Sequence, residues 1–252
     1  MYNTDIAKIR DLATQGNADA QYKLGEHYSL KNDEELAIEW HRKAAEQGHV
    51  NAQYALSWNI LNERDYTKAE MEESEKWERL AADGGHPEAQ YSVGCRFFSG
   101  PFLDNLYRSQ ALADKDNAEA GVDNTEAVKW FIKSAKQGDI CAQNALGNAY
   151  YYGTGVPQDY SLAFEWFRKS NSLFCLGEMY YYGHGVEKDE AEAVRYYRND
   201  CNYTCLESKR RLKELGWNRN LWKKALGISK GDEKKAELLY TKLISDSEVT
   251  DD

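Results

Sequence analysis

Residues 141–170 read CAQNALGNAYYYGTGVPQDYSLAFEWFRKS, and this stretch decides the fold. Ala142, Leu146 and Tyr150 recur every four residues, as on one face of a helix. Gly153 stands where that helix must stop, since glycine suits the left-handed residue just past a helix end. Thr154 to Gln158, with Gly155 and Pro157, reads as a turn. Asp159 suits the N-cap of a second helix, which carries Ala163 and Trp166 inward. Neither helix of this hairpin can bury its apolar face alone. Neighbours must cover it.

The same frame recurs outward from this hairpin. Four residues after Trp40, Trp77 and Trp130 come Ala44, Ala81 and Ser134. Eight after come Gly48, Gly85 and Gly138. Twelve after come Ala52, Ala89 and Ala142, each followed by a glutamine (Gln53, Gln90, Gln143). Leu56, Val93 and Leu146 stand sixteen after. Seven residues before each aromatic anchor stands an acid: Asp33, Glu70, Asp123, Asp159, and Asp189 before Tyr196. The acids read as helix N-caps and the glycines as turns between hairpins. The alanine spacing is 32 (Ala20 to Ala52), then 37 (to Ala89), then 53 (to Ala142). Length therefore varies in the loop inside each hairpin, while the hairpin-to-hairpin spacing is kept. Self-similarity of this kind marks a stacked helical repeat.

The chain here resembles the Sel-one-like repeat (SLR) family, relatives of tetratricopeptide repeats. The matching residues are Ala142, Leu146-Gly147, Tyr150, Gly153, Gly155-Val156, Asp159, Ala163 and Trp166. A second copy runs Leu176-Gly177, Tyr180, Gly183, Gly185-Val186, Asp189, Ala193 and Tyr196. The resemblance covers about residues 1 to 200. It implies an all-α fold, a right-handed α-solenoid of about five antiparallel helix-turn-helix repeats with capping helices at the ends. It also implies interaction rather than catalysis. Repeats are expected at 18–48, 49–85, 86–138, 139–170 and 171–200, within a solenoid of residues 1–215. Capping helices would fill 216–246, from Asn218–Leu226 and Asp232–Ile244, and 247–252 would be a flexible tail. Residues 100–123 interrupt the third hairpin, and Leu106–Asp114 within them suits a short helix. A loop this long is either a partner-contacting segment or a tolerated surface insertion. Only KSNS joins the fourth hairpin to the fifth, a shortened junction.

The net charge is −10. Residues 1–200 carry 33 acids and 21 bases, residues 201–252 carry 9 and 11. An acidic array repels phosphates, so nucleic acid is not an expected partner, and a basic protein is favoured. The acidic run at Glu70, Glu72, Glu73, Glu75 and Glu78 reads as a solvated face interleaved with Lys68, Lys76 and Arg79. No apolar stretch is long enough for a membrane span, and the N-terminus lacks a signal peptide's apolar core, so the cytoplasm is the expected compartment. Five cysteines at irregular positions suit reduced thiols. Cys201 and Cys205 lie one helical turn apart, but no second Cys or His pair follows at zinc-ligand spacing, and buried thiols are the preferred reading.

No cofactor, metal or catalytic residue is assigned. GTGV and GHGV look like phosphate loops, but no strand precedes and no Lys-Ser/Thr follows. His49 and His86 follow turn glycines and read as turn residues; His184 lies in a loop; His27 and His41 lie on helices without a partner in register. An enzyme reading rests only on these five. The favoured reading is a protein-binding module or adaptor whose partner is a basic toxin or a signalling or secretion protein. An immunity protein that masks a cognate toxin is the narrower alternative, a role some bacterial proteins resembling this family serve.

In tetratricopeptide-like hairpins the first helix lines the concave side. Its groove positions, counted from Gly25, Ser57, Gly94, Gly147 and Gly177, are Tyr22, Glu26, Tyr54, Trp58, Tyr91, Phe98, Asn144, Asn148, Tyr151, Tyr152, Phe174, Glu178, Tyr181 and Tyr182. Most are aromatic, in a chain that is 13% aromatic. Rigid rings with polar tips are what recognition surfaces use. The competing reading is that they pack neighbouring hairpins together, especially Tyr22 and Tyr54.

Overall fold

Caps and turns set the helix boundaries. The computed structural model describes residues 2–61, 66–98, 123–201 and 206–217, and some positions between 222 and 240. In four of the five first helices the residue after the turn glycine caps: Asn17 Oδ1 accepts from Ala20 N at 2.8 Å, His49 Nδ1 from Ala52 N at 3.1 Å, His86 Nδ1 from Ala89 N at 3.4 Å, and Asp139 Oδ1 from Ala142 N at 2.6 Å, while Ser172 before the fifth makes no side-chain cap bond. His49 and His86 are thus N-caps built on imidazole. In the second helices Asp33, Asp123, Asp159 and Asp189 cap as the spacing predicts. Glu70 does not. Thr67 is the cap there, and Glu70 is the reciprocal third residue of a capping box, its carboxylate accepting from Thr67 N at 2.6 Å.

The resulting helices are α1 (Tyr2–Thr14), α2 (Ala18–Ser29), α3 (Glu34–Glu46), α4 (Val50–Leu61), α5 (Lys68–Asp83), α6 (Pro87–Phe97), α7 (Asn124–Lys136), α8 (Ile140–Tyr152), α9 (Tyr160–Lys169), α10 (Leu173–Tyr182), α11 (Glu190–Cys201) and α12 (Leu206–Glu214). No strand occurs among the described residues. The chain divides into two compact units, Met1–Asn171 and Ser172–Asp252, and the division falls in the KSNS junction. Within the first unit each helix from α1 to α9 packs on its sequence neighbours; within the second, α10 packs on α11 and α11 on α12. This is the layering of a helical-repeat solenoid. The 100–123 insertion, apart from Asp123, and the 247–252 tail lie outside the described residues, as does the short helix expected at Leu106–Asp114. Only part of the two expected closing helices is described; there Trp222, Ala225 and Ala236 are buried together with Trp217, Leu239 and Tyr240 against them.

Two kinds of glycine hold the array. Gly138, at φ 95, makes the left-handed turn between α7 and α8, with open space where a side chain would go. Gly147 is helical, and a Cβ there would meet the Phe167 ring closer than 3.0 Å. The same contact recurs as Gly25 on His41, Gly94 on Phe131 and Gly177 on Tyr197. After four of the five anchors the next residue therefore fills the hairpin core: His41, Phe131 and Tyr197 are fully buried and Phe167 nearly so, while Glu78 follows Trp77. Trp77 and Trp130 are buried as the spacing predicts, but Trp40, Trp166 and Tyr196 remain half-exposed. In these four pairs both members are aromatic, and the gap over the glycine selects the second to seat against it; Trp130 is buried beside Phe131 all the same.

The conserved-looking glutamines close the joints. Gln21, Gln53, Gln90 and Gln143 each donate through Nε2 to a carbonyl eight residues earlier, at Ala13, Ala45, Ala82 and Ala135 (3.0–3.4 Å). Those carbonyls end the preceding helix and accept from the turn glycine three residues on, and the glutamine side chain adds a second donor that ties the next helix to that turn. The acidic run of α5 is not simply a solvated face. Glu73 pairs with Arg42 of α3, and Arg96 of α6 reaches Glu75 at 2.5 Å and Glu78 at 2.6 Å. Glu78 is buried, so its charge needs that arginine.

Candidate partner-binding face

The fourteen positions read from the sequence separate into three environments. Tyr91 and Asn148 are buried: Tyr91 packs on Phe131 at 5.7 Å, and Asn148 Nδ2 donates to the Asn144 carbonyl at 2.9 Å. They leave almost no surface for a partner, because small neighbours let α6 and α8 seat deeply. Tyr22, Tyr54, Phe98, Asn144, Tyr151, Phe174, Glu178 and Tyr181 are half-buried. Tyr22 stacks on His49 at 4.7 Å, and Tyr54 lies 4.2 Å from His86. These two brace the joint between hairpins by resting on the capping histidine of the next. Phe98 leans on Phe131 at 5.5 Å and Phe174 on Tyr197 at 5.9 Å. Exposed are Glu26, Trp58, Tyr152 and Tyr182, with Trp58 at 58%, Tyr152 at 52% and Tyr182 at 47%.

The twin tyrosines of α8 and α10 have one geometry. Tyr151 and Tyr152 meet edge-on at 4.9 Å, Tyr181 and Tyr182 at 4.8 Å. In the second unit the pair is covered by Arg211 of α12. Its guanidinium holds Glu178 at 2.6–2.7 Å, donates to the Tyr182 hydroxyl at 2.8 Å, and lies 5.4 Å from the Tyr181 ring. Tyr197 donates to the same Glu178 at 2.5 Å. Burial, then Glu178, pushes the Tyr197 hydroxyl pKa up, so it stays a donor. Arg211 stands in a basic run with Lys209, Arg210 and Lys213, but nothing in the sequence places it on Glu178.

At the first hairpin His41 takes the place of the core ring. Both of its nitrogens are buried without a hydrogen bond, although Glu26 Oε1 is 3.4 Å from Nε2. Burial, and secondly the nearby His49, bring its pKa down to about 4, so it is neutral at pH 7. Burial also pushes the Cys95 thiol up to about 12, and the described Cys95 and Cys141 are free thiols. The Cys201 and Cys205 side chains lie outside the described residues. Among the described residues no three His, Cys, Asp or Glu converge as a metal site, and no helix is long and apolar enough to cross a membrane.

Comparison with known proteins agrees with this architecture. The Sel1 repeat model matches residues 18–49, 50–86, 118–139, 142–173 and 170–199. The structure of c5321, a protective antigen of uropathogenic Escherichia coli strains displaying an SLR fold, is 28% identical with a TM-score of 0.67; the match covers 97% of this chain and 49% of that one. A Sel1 repeat protein from Oxalobacter formigenes is 26% identical with a TM-score of 0.64, covering 84% of this chain and 59% of that one. An uncharacterized Sel1-like repeat-containing protein of Schizosaccharomyces pombe is 50% identical over 38 residues, 15% of this chain and 6% of that protein. The chain thus spans about half the length of the Escherichia coli structure and a small part of the yeast relative.

Proposed function

Since the chain belongs to the Sel1 repeat family, we propose that it is a non-catalytic interaction module that holds a protein partner against the open face of its first helices. The observation that carries this reading is the exposure of Trp58 and Tyr152 in the C-terminal parts of α4 and α8. A large ring left half in water contributes nothing to the core, yet offers rigid apolar area to a partner. The half-buried rings beside them fix their rotamers. The charge of −10 favours a basic partner, whether a signalling or secretion protein or a toxin that the module neutralises. The free thiols suit the cytoplasm.

The test is to identify a partner by affinity capture with mass spectrometry, then measure its affinity for Trp58→Ala and Tyr152→Ala. Each substitution should weaken binding about tenfold at unchanged melting, as for residues that carry binding energy. Phe131→Ala, a core control, should lose melting instead. Unchanged affinity in both surface variants would overturn the assignment of this face.

A further inference from the structure

Two of the four side-chain caps on the first helices are imidazoles. His49 Nδ1 accepts from Ala52 N at 3.1 Å and His86 Nδ1 from Ala89 N at 3.4 Å, where Asn17 and Asp139 use an oxygen for the same bond. A ring nitrogen that accepts is unprotonated, so the neutral ring carries its proton on Nε2. In His49 that nitrogen stands 3.1 Å from Asp19 Oδ1. The next proton has one place to go. It adds to Nδ1, where the helix N–H already points, and turns an acceptor into a donor. It also sets a positive charge at a helix N-terminus, where the dipole disfavours it. The amide oxygen of Asn17 takes no proton, and a protonated Asp139 would still accept through its carbonyl oxygen.

Both rings are largely buried with an edge in water. Facing His49 are Asp19 and Tyr22 of α2 and His41 of α3; the Tyr22 ring lies 4.7 Å from His49 and 5.7 Å from His41. Facing His86 are Tyr54 of α4, 4.2 Å away, and Glu88 of its own helix, whose Oε2 is 3.3 Å from Nδ1. Asp139, at the start of α8, is within electrostatic reach of Glu88. Protonated His86 has Glu88 to donate to, so acid exchanges the backbone bond for an ion pair. Burial outweighs Glu88 and holds the His86 pKa below the ordinary histidine value. Its contribution to stability is complete above the unfolded value and drains as pH falls through the folded one.

We propose that His49 and His86 are proton-released catches: each ties two hairpins together while its Nδ1 is bare, and mild acid lets both joints go while Asn17 holds its own. Tyr22 and Tyr54 lean on these two rings, so release also loosens the tyrosines of the candidate face. The catch does not depend on what the module binds; its consequence for a partner rests on the interaction-module reading.

The test is nuclear magnetic resonance of the full chain from about pH 8 to about pH 5, the interval in which an ordinary histidine titrates. His41, brought down to about 4, stays largely neutral there. Imidazole nitrogen shifts report tautomer and protonation, and amide exchange, expressed as protection factors, reports the caps. His49 and His86 should be Nε2–H tautomers at the alkaline end and should each gain a proton as the pH falls. Protection of the Ala52 and Ala89 amides should drop about fivefold in step with the imidazole that caps them, the equilibrium worth of one N-cap. The Ala20 amide, capped by Asn17, should not change. His49→Asn and His86→Asn should each make the substituted joint insensitive to pH and leave the other responsive. An Nδ1–H tautomer at the alkaline end, an imidazole still neutral at the acid end, protection that holds through the titration, an equal drop at Ala20, or a drop that persists in the Asn variants would overturn the proposal. No readout uses a partner, so a failed capture experiment leaves the catch standing, and a failed catch leaves the capture result to be judged alone.

Discussion

Arg211 lies 33 residues beyond Glu178, yet its guanidinium bonds both oxygens of that carboxylate, at 2.7 Å from Nε and 2.6 Å from the terminal nitrogen. Each side chain is only 17% exposed. Helix α12 is pinned to α10 by this fork, and Tyr197 and Tyr182 complete the ring of partners.

Breaking the fork should loosen the second unit. Arg211→Ala leaves the largely buried Glu178 charge with the Tyr197 hydroxyl as its remaining donor among the described side chains. A loss of about 2–3 kcal/mol is expected, the usual range for hydrogen bonds to charged groups. Hydrogen exchange in α12 should rise first. Exchange unchanged in α12 would mean that its apolar contacts through Leu212 suffice.

Close approach across the fourth hairpin should make Gly147 intolerant of any side chain. In an ordinary helix Gly→Ala stabilises by about 0.8–1.0 kcal/mol. Here the added methyl meets the Phe167 ring, and overpacking should reverse the sign to a net loss of about 1–3 kcal/mol. Gly147→Ala combined with Phe167→Leu should recover part of that loss. Chemical denaturation of the three variants checks it.

The first hairpin should be acid-sensitive through His41. Its imidazole takes a proton near 6.5 when unfolded and near 4 when folded. Its contribution to stability is complete above the unfolded value and drains as pH falls from there through the folded one. The total is about 3 kcal/mol at most. The groups facing it are Glu26 on α2, Tyr22 on the same helix, and His49 at the start of α4. His41→Phe, which restores the ring found at Phe131 and Phe167, should flatten the dependence. Melting temperature against pH for the two proteins checks it.

The glutamine joints should be worth more than their exposure suggests. Gln90 Nε2 serves the Ala82 carbonyl at 3.1 Å, while its Oε1 accepts from Gln137 at 2.9 Å. Gln90→Leu keeps the volume and removes both bonds, while the Ala82 carbonyl keeps the Gly85 N–H and Gln137 keeps the Gly85 carbonyl. A cost of about 0.5–1.5 kcal/mol is expected, the net worth of a hydrogen bond whose partners stay satisfied. Thermal melting of Gln90→Leu against Gln90→Ala separates lost bonding from lost packing.

The sequence by itself determined the helices, their order and the repeat. Those features rest on local physics: a four-residue apolar recurrence, caps at Asp33, Asp123, Asp159 and Asp189, and Gly138 in a left-handed turn. Each is decided within a few residues, so each is legible in the chain. Tertiary structure decided which ring goes inside. Trp130 and Phe131, or Trp166 and Phe167, are adjacent and both aromatic, about 100° apart around the helix. The bare glycine on the facing helix decides that the second of each pair seats against it; this leaves Trp166 half-exposed, whereas Trp130 is buried with Phe131. The same limit governed the partner face. Tyr91 and Tyr152 are the same residue type at positions read from one frame, yet one is buried and the other half in water. The covering of Glu178 by Arg211 depends on a helix arriving from 33 residues away. Burial and long-range pairing are properties of what packs on a residue, and the period of a single helix carries no record of its neighbour.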